Sequence, residues 1–341
     1  MAVIYGSNGA DSLVGTIGDD QIRGLAGDDV LNGGDGNDLL IGGEGADQLI
    51  GGAGFDTASY EDANQGVGVT INLKTGVNSG LAAGDTFNGI EAFRGTSYTD
   101  NFVADASANT FDGVIGYDTL SYATSEQAIN LTLTGVNGTG LGGDAQGDAF
   151  SNMDVVIGTA FDDVFTLNSG STSVYGGAGN DVYIINGPWT GGIGEGAGGG
   201  DDEIRTNQIK ISMSGEIERL TYTGTGNFTG IGSAGNNVIT GGVGNDVLIG
   251  GAGADQLIGG AGFDTASYED ANQGIGVTIN LKTGVHTSLA AGDTFNGIEA
   301  FRGTSYTDNF VADATATSFD GAGGYDTLSY ATSEQAINLT L

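Results

Sequence analysis

One apolar side chain recurs at every ninth residue along the first part of the chain: Leu13, Ile22, Leu31, Leu40, Leu49 and Ala58. Each stands in a short x-apolar-x stretch between turn residues, which predicts very short strands that each send one side chain inward. Elsewhere the period changes to two. GVTINL places Val69, Ile71 and Leu73 on one face, and AINLTL places Ile129, Leu131 and Leu133 on one face. TFNGIEAF (86–93) and DVVI (154–157) read as further strands set off by glycine-rich turns. No stretch carries the 3.6-residue period of an amphipathic helix. The expected class is all-β, with GPWTGGIGEGAGGG at 187–200 as a loop or linker.

The ninefold spacing belongs to a repeated unit. From Gly6 the chain reads GSNGADSLV, GTIGDDQIR, GLAGDDVLN, GGDGNDLLI, GGEGADQLI and GGAGFDTAS. Position one is Gly in all six, position four is Gly in all six, and position six is Asp in all six. A second run begins at Gly232 with GSAGNNVIT, GGVGNDVLI, GGAGADQLI and GGAGFDTAS. Degenerate triplets of the same unit start at Gly95, Gly158 and Gly303. A longer repeat overlies these, because residues 39–133 recur at 247–341 with 84 identities in 95 positions. The second copy stops at INLTL, where the first continues, so the end reads as a cut in a longer array.

Composition changes the picture by adding charge. The 341 residues include 67 Gly, one Pro, one His, no Cys, and 43 acidic against 8 basic residues, for a net charge of −35. Such a chain repels itself when compact unless cations neutralise it. Nucleic acid and anionic membrane are excluded as partners, since both need Lys and Arg that are missing here. No apolar run is long enough to span a bilayer, and MAVIYGSNGADSL lacks the basic and apolar regions of a cleavable signal. The lack of Cys rules out disulfides and thiolate metal sites.

The repeat itself supplies the complement. Glycines at positions one and four are expected to take φ > 0 in a tight turn that points carbonyl oxygens inward. The aspartate at position six adds a carboxylate beside them. Hard oxygen ligands of this kind suit calcium. The pattern GGxGxDxUx resembles the RTX (repeat-in-toxin), or hemolysin-type, calcium-binding family. GDTFNGIEAFRGT and GDAFSNMDVVIGT are similar to linking elements of bacterial RTX proteins.

The resemblance implies a right-handed parallel β-roll interrupted by strand or hairpin modules, with two nonapeptides per coil and calcium between stacked turns. Ligand pairs then lie eighteen residues apart. In the first run these are Asp11/Asp29 and Asp29/Asp47 on one edge, with Asp20/Asp38 and Asp38/Asp56 on the other. In the second run they are Asn237/Asp255 and Asp246/Asp264, the asparagine giving a weaker site. Each triplet is expected to keep one pair, Asp100/Asp118, Asp163/Asp181 or Asp308/Asp326, because its middle unit carries Asn109, Thr172 or Thr317 where Asp belongs. The total is roughly nine ions, whose charge of about +18 offsets about half of the chain's. Short strands with one apolar residue each bury too little to outweigh chain entropy, so metal binding is expected to drive folding. The family further implies export by type I secretion machinery and folding outside the cell.

No catalytic motif is present: neither GxSxG nor HExxH nor GK[ST] occurs. The single histidine, His286, stands where the first copy has Asn78. Phe87, Phe93, Phe102, Phe111 and Tyr122 are assigned to the core of the strand modules. The expected organisation is a roll at 1–59, strand modules with triplets at 60–186, the loop at 187–200, a strand module at 201–231, a roll at 232–267, and a module at 268–341 repeating 60–133. The function expected is a non-enzymatic, self-associating structural segment of a secreted or cell-surface protein, such as an S-layer, filament or adhesin. The alternative is the calcium-dependent folding module of a larger extracellular enzyme or toxin.

Overall fold

Every nonapeptide of the long runs folds as a turn followed by a strand that begins at position seven. The computed structural model describes residues 1–61, 66–195, 199–213, 215–269, 274–315 and 318–331. Thr317 and the second AINLTL stretch therefore lie outside the described residues. The chain divides into two compact units, Met1–Asp181 with Trp189–Gly196, and Val182–Pro188 with Ala197–Leu341.

In the first unit, successive nonapeptides alternate between two parallel ladders. One runs through Val3–Tyr5, Gln21–Ala26, Leu39–Glu44 and Thr57–Ser59; the other through Ser12–Val14, Val30–Asp35, Gln48–Ala53 and Thr86–Asn88. Ile22 stands opposite Leu40 and Leu31 opposite Leu49, so each coil consumes two nonapeptides. The alternation of a strand is visible in Gln21–Ala26, where Ile22 points inward and Gln21 and Arg23 do not. Ile22, Leu31, Leu40, Leu49 and Ala58 are all 0% exposed. Each such burial contributes about 1.5–3 kcal/mol for a Leu or Ile, and the parallel stacking makes the contributions continuous.

The strand modules extend these ladders. Ala58 stands opposite Phe93, Phe93 opposite Phe111, and Phe111 opposite Phe150. Ile71, Phe102, Leu120, Val156 and Val174 line up in the same way on another ladder. Larger side chains replace leucine here, and the rings of Phe93 and Phe111 stack at 6.0 Å while Phe102 and Phe111 meet at 5.5 Å. TFNGIEAF, expected as one strand, is two: Thr86–Asn88 and Ala92–Arg94 lie in different ladders, with Gly89 at φ 61° turning the chain between them. Antiparallel pairing enters at the hairpin of Val69–Asn72 with Ser79–Gly80 and in the meander of Asn130–Thr134, Asn137–Leu141 and Ala149–Ser151. In the stretch expected as a loop, Trp189 bridges to Gly170 and Ile193–Gly194 pairs with Ser173–Tyr175.

The second unit repeats the scheme. One parallel ladder carries Tyr183, Ile204, Leu220, Ile239, Leu257 and Phe295 in line. A second carries Leu248, Ala266, Phe301 and Phe319, and a third Ile279, Phe310 and Leu328. Among the described residues the helical elements are two three-residue 3₁₀ turns, Gly143–Ala145 and Ser288–Ala290.

Candidate metal centres in the turns

The turns of the long runs are shaped by three small residues with different duties. Position four takes positive φ in the turns whose second residue is neither Ser nor Thr, as at Gly36 (127°) and Gly45 (133°). Position two does the same at Gly34, Gly43 and Gly52, and even Leu25 adopts φ 82° there. Position one does not; the expectation of φ > 0 at that glycine is corrected. Its lack of a Cβ answers a close approach. A Cβ on Gly24 would collide with Asp29 Oδ2 and lie 2.6 Å from the Gly42 carbonyl oxygen, and Gly33 stands in the same relation to Asp38 and Gly51. The aspartate of a turn thus folds back under the first glycine, beside the carbonyl of the next coil.

Each carboxylate has two distinct oxygens. Oδ1 accepts the backbone N–H of the position-six residue one coil earlier: Asp11 N–H to Asp29, Asp20 to Asp38, Asp29 to Asp47 and Asp38 to Asp56, at 2.7–2.8 Å. In the second run Asn237 donates to Asp255 and Asp246 to Asp264, both at 2.8 Å. The triplets keep the link, with Asp100 donating to Asp118, Asp163 to Asp181 and Asp308 to Asp326. All eighteen-residue pairs expected from the sequence are therefore brought together.

The other oxygen separates the sixteen residues into two kinds. In Asp29, Asp38, Asp47, Asp56, Asp118, Asp246, Asp255 and Asp264, Oδ2 is buried without a hydrogen-bond donor. These eight side chains belong to residues at most 2% exposed. Asp181 and Asp326 follow the same turn type, with Gly177 and Ala322 at positive φ in position two. Where position two is Ser or Thr, the turn supplies its own donors. Ser7 N–H and Oγ reach Asp11 Oδ2 at 2.5 and 2.8 Å, and Thr16 does the same for Asp20. Thr96, Thr159 and Thr304 donate through both N–H and hydroxyl to Asp100, Asp163 and Asp308, and Ser233 to Asn237. The sequence reading set Asn237 apart as weaker and gave each triplet a single pair, but did not separate open from closed turns; the signal that separates them is the residue at position two.

A buried polar group left unmet costs about 1–3 kcal/mol, and more when it is charged. Eight such oxygens amount to about 8–24 kcal/mol, which matches or exceeds the 5–15 kcal/mol net stability of a typical domain. Among the described residues no lysine or arginine forms an ion pair with these eight; Lys74, Arg94, Arg205, Arg219 and Arg302 lie against Asp144, Glu61 and Asp112, Glu203, Asp201, and Glu269 and Asp320 instead. Burial accordingly pushes the carboxyls up, Asp47 to about 6 and Asp118 and Asp255 to about 7. The donor set left open is carboxylate and carbonyl oxygen alone, which fits a hard divalent cation of calcium's size and flexible coordination.

Two further sets of side chains went unnoticed in the sequence. Asp19, Asp28 and Asn37 at position five accept the N–H of position five one coil later, at 2.9 Å, forming an outer polar ladder. Three buried tyrosines close the ladder where a strand module begins. Tyr60 hydroxyl donates to Asp85 at 2.6 Å, Tyr122 to Asp148 at 3.0 Å and Tyr268 to Asp293 at 2.5 Å. Asp85 and Asp293 also accept the N–H of Asp47 and Asp255, so they continue the stack with a hydroxyl on the second oxygen. His286 is buried, its Nδ1 accepting the Asn280 N–H at 3.1 Å, in the place Asn78 fills for Asn72.

A family model for the RTX calcium-binding nonapeptide repeat matches this chain four times, over residues 5–40, 24–58, 148–183 and 231–266. No curated protein matches the chain. The four segments hold most of the open Asp turns and several of their Ser/Thr-closed counterparts, while the turns of Asp100, Asp118, Asp308 and Asp326 lie outside them, and the parallel β-roll is the fold such repeats form.

Proposed function

Taking the chain as a carrier of RTX calcium-binding nonapeptide repeats, we propose that it is a calcium-folded structural segment of a secreted or cell-surface protein. The carrying observation is the set of eight buried carboxylate oxygens with no donor. Calcium bound at the eighteen-residue pairs would answer those whose next coil is another nonapeptide, at roughly nine ions for the whole chain. Outside the cell, calcium is abundant; in a calcium-poor cytosol the same carboxylates would oppose folding and leave the chain open for export. Type I secretion machinery is the partner this reading implies. No helix among the described residues is long and apolar enough to cross a membrane.

We read the segment as non-enzymatic, because its acidic pairs serve turns and its histidine is engaged with a backbone amide. Self-association is supported by aromatic side chains exposed at the turn tips. Phe55, Phe263 and Tyr117 at position five, beside open carboxylates, and Phe161 at position four of a Thr-closed turn, are 44–58% exposed. Such tips appear only once calcium has set the turns. Light scattering on the full chain is expected to show calcium-dependent particles larger than a monomer, reversed by chelation. Monodisperse monomers at high protein concentration in calcium would remove self-association from the proposal.

A further inference from the structure

Three places in the chain rebuild an open turn from residues that do not belong to any nonapeptide. Asp56, Asp118 and Asp264 are the last position-six aspartates before a strand module, and each keeps an Oδ2 that is buried and has no donor. In a regular coil that oxygen faces the carbonyl of the next coil's first glycine. Here the next coil has no such glycine. A Cβ built on Gly51 would nevertheless collide with the Gly89 carbonyl oxygen and lie 2.5 Å from Asp56 Oδ2. One on Gly259 would collide with the Gly297 carbonyl and lie 2.5 Å from Asp264 Oδ2. One on Gly113 would collide with the Asn152 carbonyl and lie 2.5 Å from Asp118 Oδ2. Gly89, Asn152 and Gly297 share one left-handed conformation, φ 56–62°, which aims their carbonyls alike.

A second carboxylate completes each set. Glu91 accepts the Asp56 N–H at 2.9 Å, Glu299 the Asp264 N–H at 2.9 Å, and Asp154 the Asp118 N–H at 2.9 Å. This is the hydrogen bond that a position-six aspartate makes in a regular coil. It arrives 35 or 36 residues along the chain instead of 18. The acidic residue follows two places after the left-handed one, in NGIE and NMD, where the nonapeptide uses a spacing of five.

We propose that these are three additional calcium sites, Asp56 with Gly89 O and Glu91, Asp118 with Asn152 O and Asp154, and Asp264 with Gly297 O and Glu299. The strand modules thus end each row of ions with a metal site of their own making, and the carboxylates of Glu91, Asp154 and Glu299 are calcium ligands. The inference rests on the reading of the open turns as calcium sites and adds three ions to it.

Equilibrium dialysis of the full chain with calcium counts the ions bound. Wild type is compared with Glu91→Gln, Asp154→Asn and Glu299→Gln. Each amide side chain can still accept the backbone N–H through its carbonyl oxygen, so the ladder is retained while the charge is lost. Each variant is expected to bind one ion fewer than wild type, with an unchanged far-UV spectrum at saturating calcium. If wild type binds no calcium, the reading of the turns falls and this proposal with it. If wild type binds calcium and the variants bind as many ions with equal affinity, the turns stand and the three additional sites are refuted. Should one variant fail to fold in calcium, the ion count of the other two decides.

Discussion

Alanine at Gly52 is expected to destabilise the calcium-loaded chain by about 2–5 kcal/mol, while alanine at Gly18 changes it by under about 1 kcal/mol. Both are glycines of one run, and the repeat pattern gives no reason to tell them apart. Gly52 sits at position two with φ 115°, a conformation that costs a non-glycine residue about 1–2 kcal/mol. Its Cβ would also collide with the Gly34 carbonyl oxygen and meet the carbonyl carbon at 2.9 Å. That neighbour is backbone, which cannot rotate away, and overpacking of this kind costs about 1–3 kcal/mol. Gly18 is at position four of a Thr-closed turn, where a Cβ meets nothing within 4 Å and φ is not positive. Alanine there removes freedom from the unfolded chain and can stabilise by about 0.4–1 kcal/mol. Urea unfolding in saturating calcium checks both. Equal midpoints for the two variants would mean that the turn geometry is wrong.

Acid is expected to act in opposite directions on the calcium-loaded and metal-free chain. Burial raises Asp118 and Asp255 to about 7 and Asp47 to about 6, against an ordinary value of 3.8. Because the folded value is the higher one, the metal-free fold binds protons more tightly than the unfolded chain does. Its stability therefore rises as pH falls from about 7 toward 3.8 and is lowest above about 7. Calcium needs the same groups ionised and competes with those protons. For a carboxyl with a value near 7, lowering the pH from 7.5 to 5.5 weakens apparent calcium affinity roughly twentyfold to thirtyfold. Calcium titrations at the two pH values should show this rightward shift. Circular dichroism in chelator should show β-structure growing, not shrinking, over the same interval. A calcium midpoint independent of pH would contradict the burial of these carboxylates.

The roll was legible because its information is periodic. Position eight repeats as Ile22, Leu31, Leu40 and Leu49, and position six as Asp20, Asp29, Asp38 and Asp47, so both core and carboxylate rows follow from counting. What escaped the reading is not periodic. Tyr60 and Asp85 are 25 residues apart and Asp56 and Glu91 are 35, joined only once the strand module has folded between them. TFNGIEAF carries its break in plain view, an Asn88-Gly89 pair between Phe87 and Ile90 that the one-strand expectation passes over, and Gly89 turns the chain so that its halves serve different ladders. The role of position two was hidden for another reason. Ser7 and Thr16 look like ordinary turn residues, and only their hydrogen bonds to Asp11 and Asp20 show that such turns close on themselves. The residues that replace them, glycine in most turns but Leu25 and Val114 in two, take positive φ and leave the carboxylate open.

That opening is the centre of the account, and one titration tests it. Far-UV circular dichroism of the full chain at neutral pH, begun in chelator and followed as calcium is added, reads β-structure directly. The account predicts a largely unfolded chain at the start and a cooperative rise in β-signal that magnesium does not reproduce. A chain already β-rich in chelator at neutral pH, unchanged by calcium, would contradict it.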